Sequence, residues 1–267
     1  MSVILKKQGT CAYLQAEGIK TPHCFTTRLG GVSQGFLASM NIGTSRGDSR
    51  ENVLKNYEIL GKILDFDPHN LVLSRQVHSD IVRAVDGKNR GAGLYGSPMP
   101  DCDGLVTNEK DLALVIFTAD CTPLLFWDPA TGAVGAAHAG WRGTAQAIAA
   151  RTVEAMEKNF GSRPEDIRAA IGPNISACHF ETGEDVPAAM RQAFGREAEP
   201  FIRAQNEKFY VNLKGINAMI LKNAGVRHIE ISDACTVCSQ DLFWSHRIVG
   251  QQRGSQGAVI VCREACK

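Results

Sequence analysis

The chain has 267 residues, 44% of them hydrophobic, and its 29 Lys plus Arg against 28 Asp plus Glu leave a formal charge of +1. That apolar content suffices for a sizeable core and excludes a disordered chain. Near neutrality without any basic or acidic block argues against nucleic acid or an anionic membrane surface as the main partner.

The opening stretch MSVILKKQGT is followed by no long apolar segment or small-residue cleavage site, and the nine cysteines are an odd number, so a reduced, cytoplasmic setting is expected. Apolar runs of strand length follow at 71–77 (LVLSRQV), 81–85 (IVRAV), 112–118 (LALVIFT), 123–127 (PLLFW) and 133–138 (AVGAAH). Asp120 interrupts the longest of them, LALVIFTADC, far short of the ~18 residues of a membrane span. Next comes a helical pattern over 143–160, with Ile148, Thr152, Ala155 or Met156 and Phe160 on one stripe and Gly161 and Pro164 as its stop. A strand at 167–171, helices near 184–194 and 214–224 with Gly225 as cap, and strands at 228–232 and 257–261 complete the series. No linker, low-complexity tract or short repeat divides the chain, so residues 1–267 read as one domain. Mixed strands and helices place it in the α+β (mixed α/β) class.

Three soft or borderline ligands share one kind of location. His78 follows one apolar strand in RQVHSD, Cys121 follows another in TADC, and His138 ends a third in AAHAG. His and Cys are the usual zinc ligands, and three protein ligands leave a fourth position for water or substrate. The spacings, 43 and 17 residues, fit no local finger pattern, and a lone Cys or His at a strand end is most often core filler. Arg142 adds weight, because it stands beside the N-terminus of the 143–160 helix, where free N–H groups and a guanidinium fork suit a phosphate. The competing reading is an Arg paired with a surface carboxylate. CTVC at 235–238 and CREAC at 262–266 read as structural, because CxxC has no matching second pair nearby in sequence. Gly30-Gly31 beside Arg28 fits either a phosphate turn or a plain turn.

The series TTRLGGVSQG, MNIG, QVH, DCDGLVT, TADCTPLLFWDP, AAHAGWRGT, AIGPNISACHFETGEDV and CTVCSQDLFWSHR resembles the YfiH-type purine nucleoside phosphorylases, a family long labelled multicopper polyphenol oxidase or laccase-like. The resemblance runs from about residue 24 to residue 260. It implies layered mixed sheets flanked by helices, related in architecture to Cys/His toxin deamidases. It also implies that His78, Cys121 and His138 bind a metal, Zn2+ or alternatively Cu2+. The implied activity is phosphorolysis of adenosine and inosine to free base and ribose 1-phosphate, with cleavage of 5'-methylthioadenosine and deamination of adenosine by metal-activated water. Purine nucleosides and inorganic phosphate would be its partners. Arg142 is the first candidate for the phosphate grip, with Arg28 and Arg46 behind it, and Asp120 is a candidate base or orienter of a ligand imidazole.

This chain departs from the family pattern at Asn174 and Ser176, around Cys178, His179 and Glu181, and at Trp244, His246 and Ile248. His179 and His246 are possible supplements to the metal site, with loop packing as the plainer role. Two other chemistries stay open. A His2Cys set also suits blue copper, although seven histidines without a His-x-His pair cannot build a trinuclear copper cluster. A metal-free Cys/His amidase of the peptidoglycan-editing kind would use Cys121 as nucleophile and His138 as base.

Overall fold

In the computed structural model, which describes residues 2–263, two six-stranded mixed sheets pack face to face and helices cover both outer surfaces. The first sheet runs, in spatial order, Val3–Gln8, Cys11–Ala16, His23–Thr26, Gln256–Val261, Ala113–Thr118 and Leu71–Leu73. The second runs His228–Ile231, Arg168–Ile171, Thr122–Trp127, Val134–Ala139, Gly104–Thr107 and Val82–Ala84. A small three-stranded sheet of Glu181–Thr182, Lys208–Val211 and Ile202–Gln205 lies beside them.

Side chains alternate across a strand, so each central strand feeds two cores. Leu114 and Ile116 meet Leu125, Trp127, Val134 and Ala136 between the sheets. Their neighbours Ala113 and Val115 face the opposite way, onto helix α1 (Arg50–Leu64), which presents Val53, Tyr57, Leu60 and Leu64. On the far side Leu124 and Phe126 pack under α3 (Ile148–Phe160), α4 (Asp185–Phe194) and α5 (Leu213–Asn223). Cover on both faces explains why the central strands read as unbroken apolar runs. Truncating such a residue, for example Leu124→Ala, costs about 2–5 kcal/mol.

The mixed α/β class and the layered sheets therefore agree with the sequence reading; several boundaries do not. The run at 71–77 is a strand only over Leu71–Leu73. The helix expected over 143–160 is two helices, the short α2 (Trp141–Ala145) and α3, separated at Ala147, whose φ of 58° is left-handed. Neither α1 nor the strands Val3–Gln8, Cys11–Ala16, His23–Thr26 and Gly104–Thr107 were expected. Gly161 caps α3 at a φ of 69°, as its place after the apolar stripe suggests. Cys266 of the CREAC stretch lies outside the described residues. No helix among the described residues is long and apolar enough to cross a membrane.

Candidate active site

The three expected ligands converge. One ligand atom from each of His78, Cys121 and His138 lies within 4.8 Å of the other two, and the two imidazoles meet edge to face at 4.8 Å. They arrive by different routes. Cys121 sits in the tight turn joining Ala113–Thr118 to Thr122–Trp127, His138 lies within the strand Val134–Ala139, and His78 belongs to the loop after Leu71–Leu73. His138 is buried, Cys121 half-buried and His78 exposed, so the cluster opens to solvent on its His78 side.

Asp103, from the stretch DCDG, organises this cluster, and the sequence reading did not single it out. Its carboxylate is fully buried and accepts five hydrogen bonds. The amides of Val77, His78 and Ser79 donate at 3.1, 3.0 and 2.8 Å, the Ser79 hydroxyl at 2.8 Å, and Nδ1–H of His138 at 2.8 Å. Three successive amides around one anion form a nest, which holds His78 at a φ of 62°. One carboxylate thus fixes both histidines. Burial pushes the Asp103 carboxyl up, but the bonds from His138 and Ser79 outweigh it and hold the group at about 2. Burial likewise opposes charge on His138, yet the Cys121 sulfur and Asp103 prevail and raise it to about 9. With Nδ1 committed to Asp103, Nε2 is the atom His138 can offer a metal, an arrangement common among metal-bound histidines. Binding there releases a proton. The residues fit a metal: three donors of the right softness, one pre-oriented by a carboxylate, with coordination left open.

The neighbouring backbone is shaped to this purpose. A Cβ on Gly140 would stand 2.7 Å from Nδ1 of His78 and 3.3 Å from Sγ of Cys121, so only glycine lets the strand end approach this closely. Gln76 docks like an extra strand residue, donating to the Phe117 carbonyl at 2.8 Å and accepting from the Phe117 amide at 2.6 Å. That anchors the His78 loop to the end of Ala113–Thr118.

Asp120 points elsewhere. Its carboxylate accepts from the Thr236 hydroxyl at 2.6 Å, the Ser245 hydroxyl at 3.0 Å and the Arg247 amide at 2.7 Å, and its own φ is 88°. It clamps the turn that presents Cys121, and the carboxylate on a ligand imidazole is that of Asp103.

A cleft of about 700 Å3 contains the three ligands together with Arg46, Arg253 and His246. Of the arginines expected to grip phosphate, Arg46 lines this cleft. Arg28 does not: it donates to the carbonyls of Ala38 and Gln240 and lies over Trp244, a packing role. Arg142, the first candidate, is not among the residues lining the cleft: it is exposed and stacked on Trp141 at 4.2 Å, near enough to His78 that its charge, after burial and His138, helps lower that imidazole. Arg253 was missed in the sequence because its RGSQG context reads as a turn. Only 8% exposed, it is held at about 10 by burial and by the charge of Arg46 beside it, a pair of cations asking for an anion.

His246 lines the cleft, whereas His179 belongs to another group. The reading of CTVC as lacking a partner pair is corrected by the fold, which brings Cys178 and His179 against Cys235 and Cys238.

Residues 22–263 match the multi-copper polyphenol oxidoreductase laccase family. The chain is 39% identical to a purine nucleoside phosphorylase of Deinococcus radiodurans over 92% of its own length and 91% of that protein. To the purine nucleoside phosphorylase YlmD of Geobacillus stearothermophilus it is 37% identical over 88% and 86% of the two chains. The crystal structure of YlmD from the same organism superposes with a TM-score of 0.91 at 34% identity, covering 98% of this chain and all of that one. On these grounds the chain belongs to the multi-copper polyphenol oxidoreductase laccase family, among relatives named as purine nucleoside phosphorylases.

Proposed function

We propose that the protein is a purine nucleoside phosphorylase acting on adenosine and inosine, with 5'-methylthioadenosine as a further substrate and deamination of adenosine as a side reaction. The observation that carries this is the meeting, in one cleft, of a His2Cys cluster with two neighbouring cations, the buried Arg253 and the half-buried Arg46. A redox centre needs no such pair; an oxyanion nucleophile does. The cleft volume suits a nucleoside and phosphate together.

In this reading Arg253 and Arg46 hold inorganic phosphate below the ribose, and the exposed Arg142 adds a second-rank positive charge. A phosphate oxygen bonds to C1' as the C1'–N9 bond breaks, and the bond's electron pair leaves on the purine, which takes up a proton. Fixed guanidinium groups lower the barrier by neutralising the phosphate and orienting it in line with the breaking bond. A metal held by His78, Cys121 and His138, zinc in preference to copper, would supply Lewis-acid polarisation when bound. Asp103 keeps Nε2 of His138 turned to that position, Gly140 leaves room for it, and Asp120 holds the Cys121 turn in place.

The test is chromatography of adenosine incubated with metal-loaded protein, with and without phosphate. Adenine formed only with phosphate supports the proposal. Inosine formed without phosphate supports the deaminase side reaction, and no product from loaded protein overturns both.

One observation favours a second reading. His138 stands between the Cys121 thiol and the Asp103 carboxylate, the order of nucleophile, base and orienting acid in Cys/His hydrolases. Alkylation of Cys121 with and without chelator separates the two, because a metal-bound thiolate is protected while a nucleophile reacts either way.

A further inference from the structure

We propose that Cys178, His179, Cys235 and Cys238 form a second metal site, a closed Cys3His zinc site that staples two loops behind the active-site turn. The four donor atoms lie within 4.8 Å of one another. The sulfurs of Cys178 and Cys238 are 3.8 Å apart, and Nδ1 of His179 lies 3.2, 3.4 and 3.8 Å from the sulfurs of Cys178, Cys238 and Cys235. A tetrahedral zinc with bonds of about 2.3 Å to sulfur and about 2.0–2.1 Å to nitrogen places sulfurs roughly 3.8 Å and sulfur–nitrogen pairs roughly 3.5 Å apart. The observed separations centre on those values. Four protein donors leave no open position, the mark of a structural site.

Two surrounding features point the same way. The Ser176 amide donates to the Cys235 sulfur at 3.4 Å, as amides do toward metal-bound thiolates. Lys214 is 6% exposed, yet its ammonium donates only to neutral oxygens: the carbonyls of Ser232 and Ala234 at 2.6 and 2.8 Å and the Ser176 hydroxyl at 3.2 Å. Among the described residues no carboxylate lies within ion-pair distance of it. Three thiolates and one imidazole around Zn2+ carry a net charge of −1, which gives this buried cation its counter-charge. Without a metal the same place crowds three cysteine sulfurs around one imidazole.

The staple reaches the catalytic turn. Thr236, between the ligands Cys235 and Cys238, donates to Asp120, whose backbone leads into Cys121. Arg247, whose amide also holds Asp120, donates its guanidinium to the carbonyls of His179 and Glu181. Zinc at this site would fix the Asp120 clamp from behind without touching substrate.

The experiment measures metal content of freshly isolated protein under reducing conditions by elemental mass spectrometry. Two zinc ions per chain are expected in the wild type, one in His78→Ala/Cys121→Ser and one in Cys178→Ser/Cys238→Ser. Should the last variant fail to fold, the His78→Ala/Cys121→Ser protein decides alone. Refilled with cobalt, it should show a tetrahedral spectrum with the charge-transfer intensity of three thiolates. A folded His78→Ala/Cys121→Ser protein that holds no metal, or a Cys178–Cys238 disulfide in non-reducing mass spectra, would overturn the proposal. Neither result depends on phosphorylase activity.

Discussion

The molecule carries two clusters built from the same side chains. His78, Cys121 and His138 number three, open toward a cleft, and are backed by a buried carboxylate; Cys178, His179, Cys235 and Cys238 number four, lie at the surface, and face a buried ammonium. Donor count separates a site that can take substrate from one that can only hold chain segments together. The neighbours follow the same logic. Two imidazoles and one thiolate with Zn2+ carry a net +1, which Asp103 offsets, while three thiolates and one imidazole carry −1, which Lys214 offsets.

Substitutions can break or sharpen that contrast. The largest effect is expected from Asp103→Ala, which orphans five donors at once and costs at least about 3 kcal/mol. Thermal unfolding should drop by many degrees and the open cluster should lose its metal; wild-type melting and metal content would refute the organising role of Asp103. Second in size is the loss of turnover in Cys121→Ala, with the melting temperature nearly unchanged, against Cys235→Ala, where stability should fall and part of the turnover survive. Equal behaviour of the two variants would erase the distinction between open and closed sites. Third, Arg253→Gln should raise KM for phosphate about 10- to 100-fold, the worth of one charge-assisted contact, with a far smaller change in nucleoside KM. Arg142→Gln, at an exposed position, should move it by roughly threefold or less. The smallest effect, about tenfold in metal affinity, is expected from Gly140→Ala, whose new methyl would push His78 aside. Competition with a chromogenic chelator measures it.

The open cluster was legible in the sequence because each ligand borders an apolar run and falls in a distinctive motif. Asp103 was not, since its role is to receive backbone amides from residues distant in sequence, and DCDG by itself reads as a turn. Arg253 was hidden for a related reason: only the fold carries its Gly/Ser loop to the cleft. The closed cluster escaped because Cys178-His179 and CTVC lie far apart along the chain and the first pair is not a CxxC. Among the elements, α1 was missed because its many charged residues mask the stripe Val53, Tyr57, Leu60 and Leu64. The break at Ala147 could not be read from periodicity, since the buried residues Thr144 and Ile148 on either side of it keep a helical spacing of four.

Phosphorus NMR of metal-loaded protein with adenosine and inorganic phosphate tests the central claim most directly. A sugar-phosphate resonance should grow in step with free adenine and vanish in His138→Ala. Adenine accompanied by free ribose, with the phosphate signal unchanged, or no product from fully loaded protein, would contradict it.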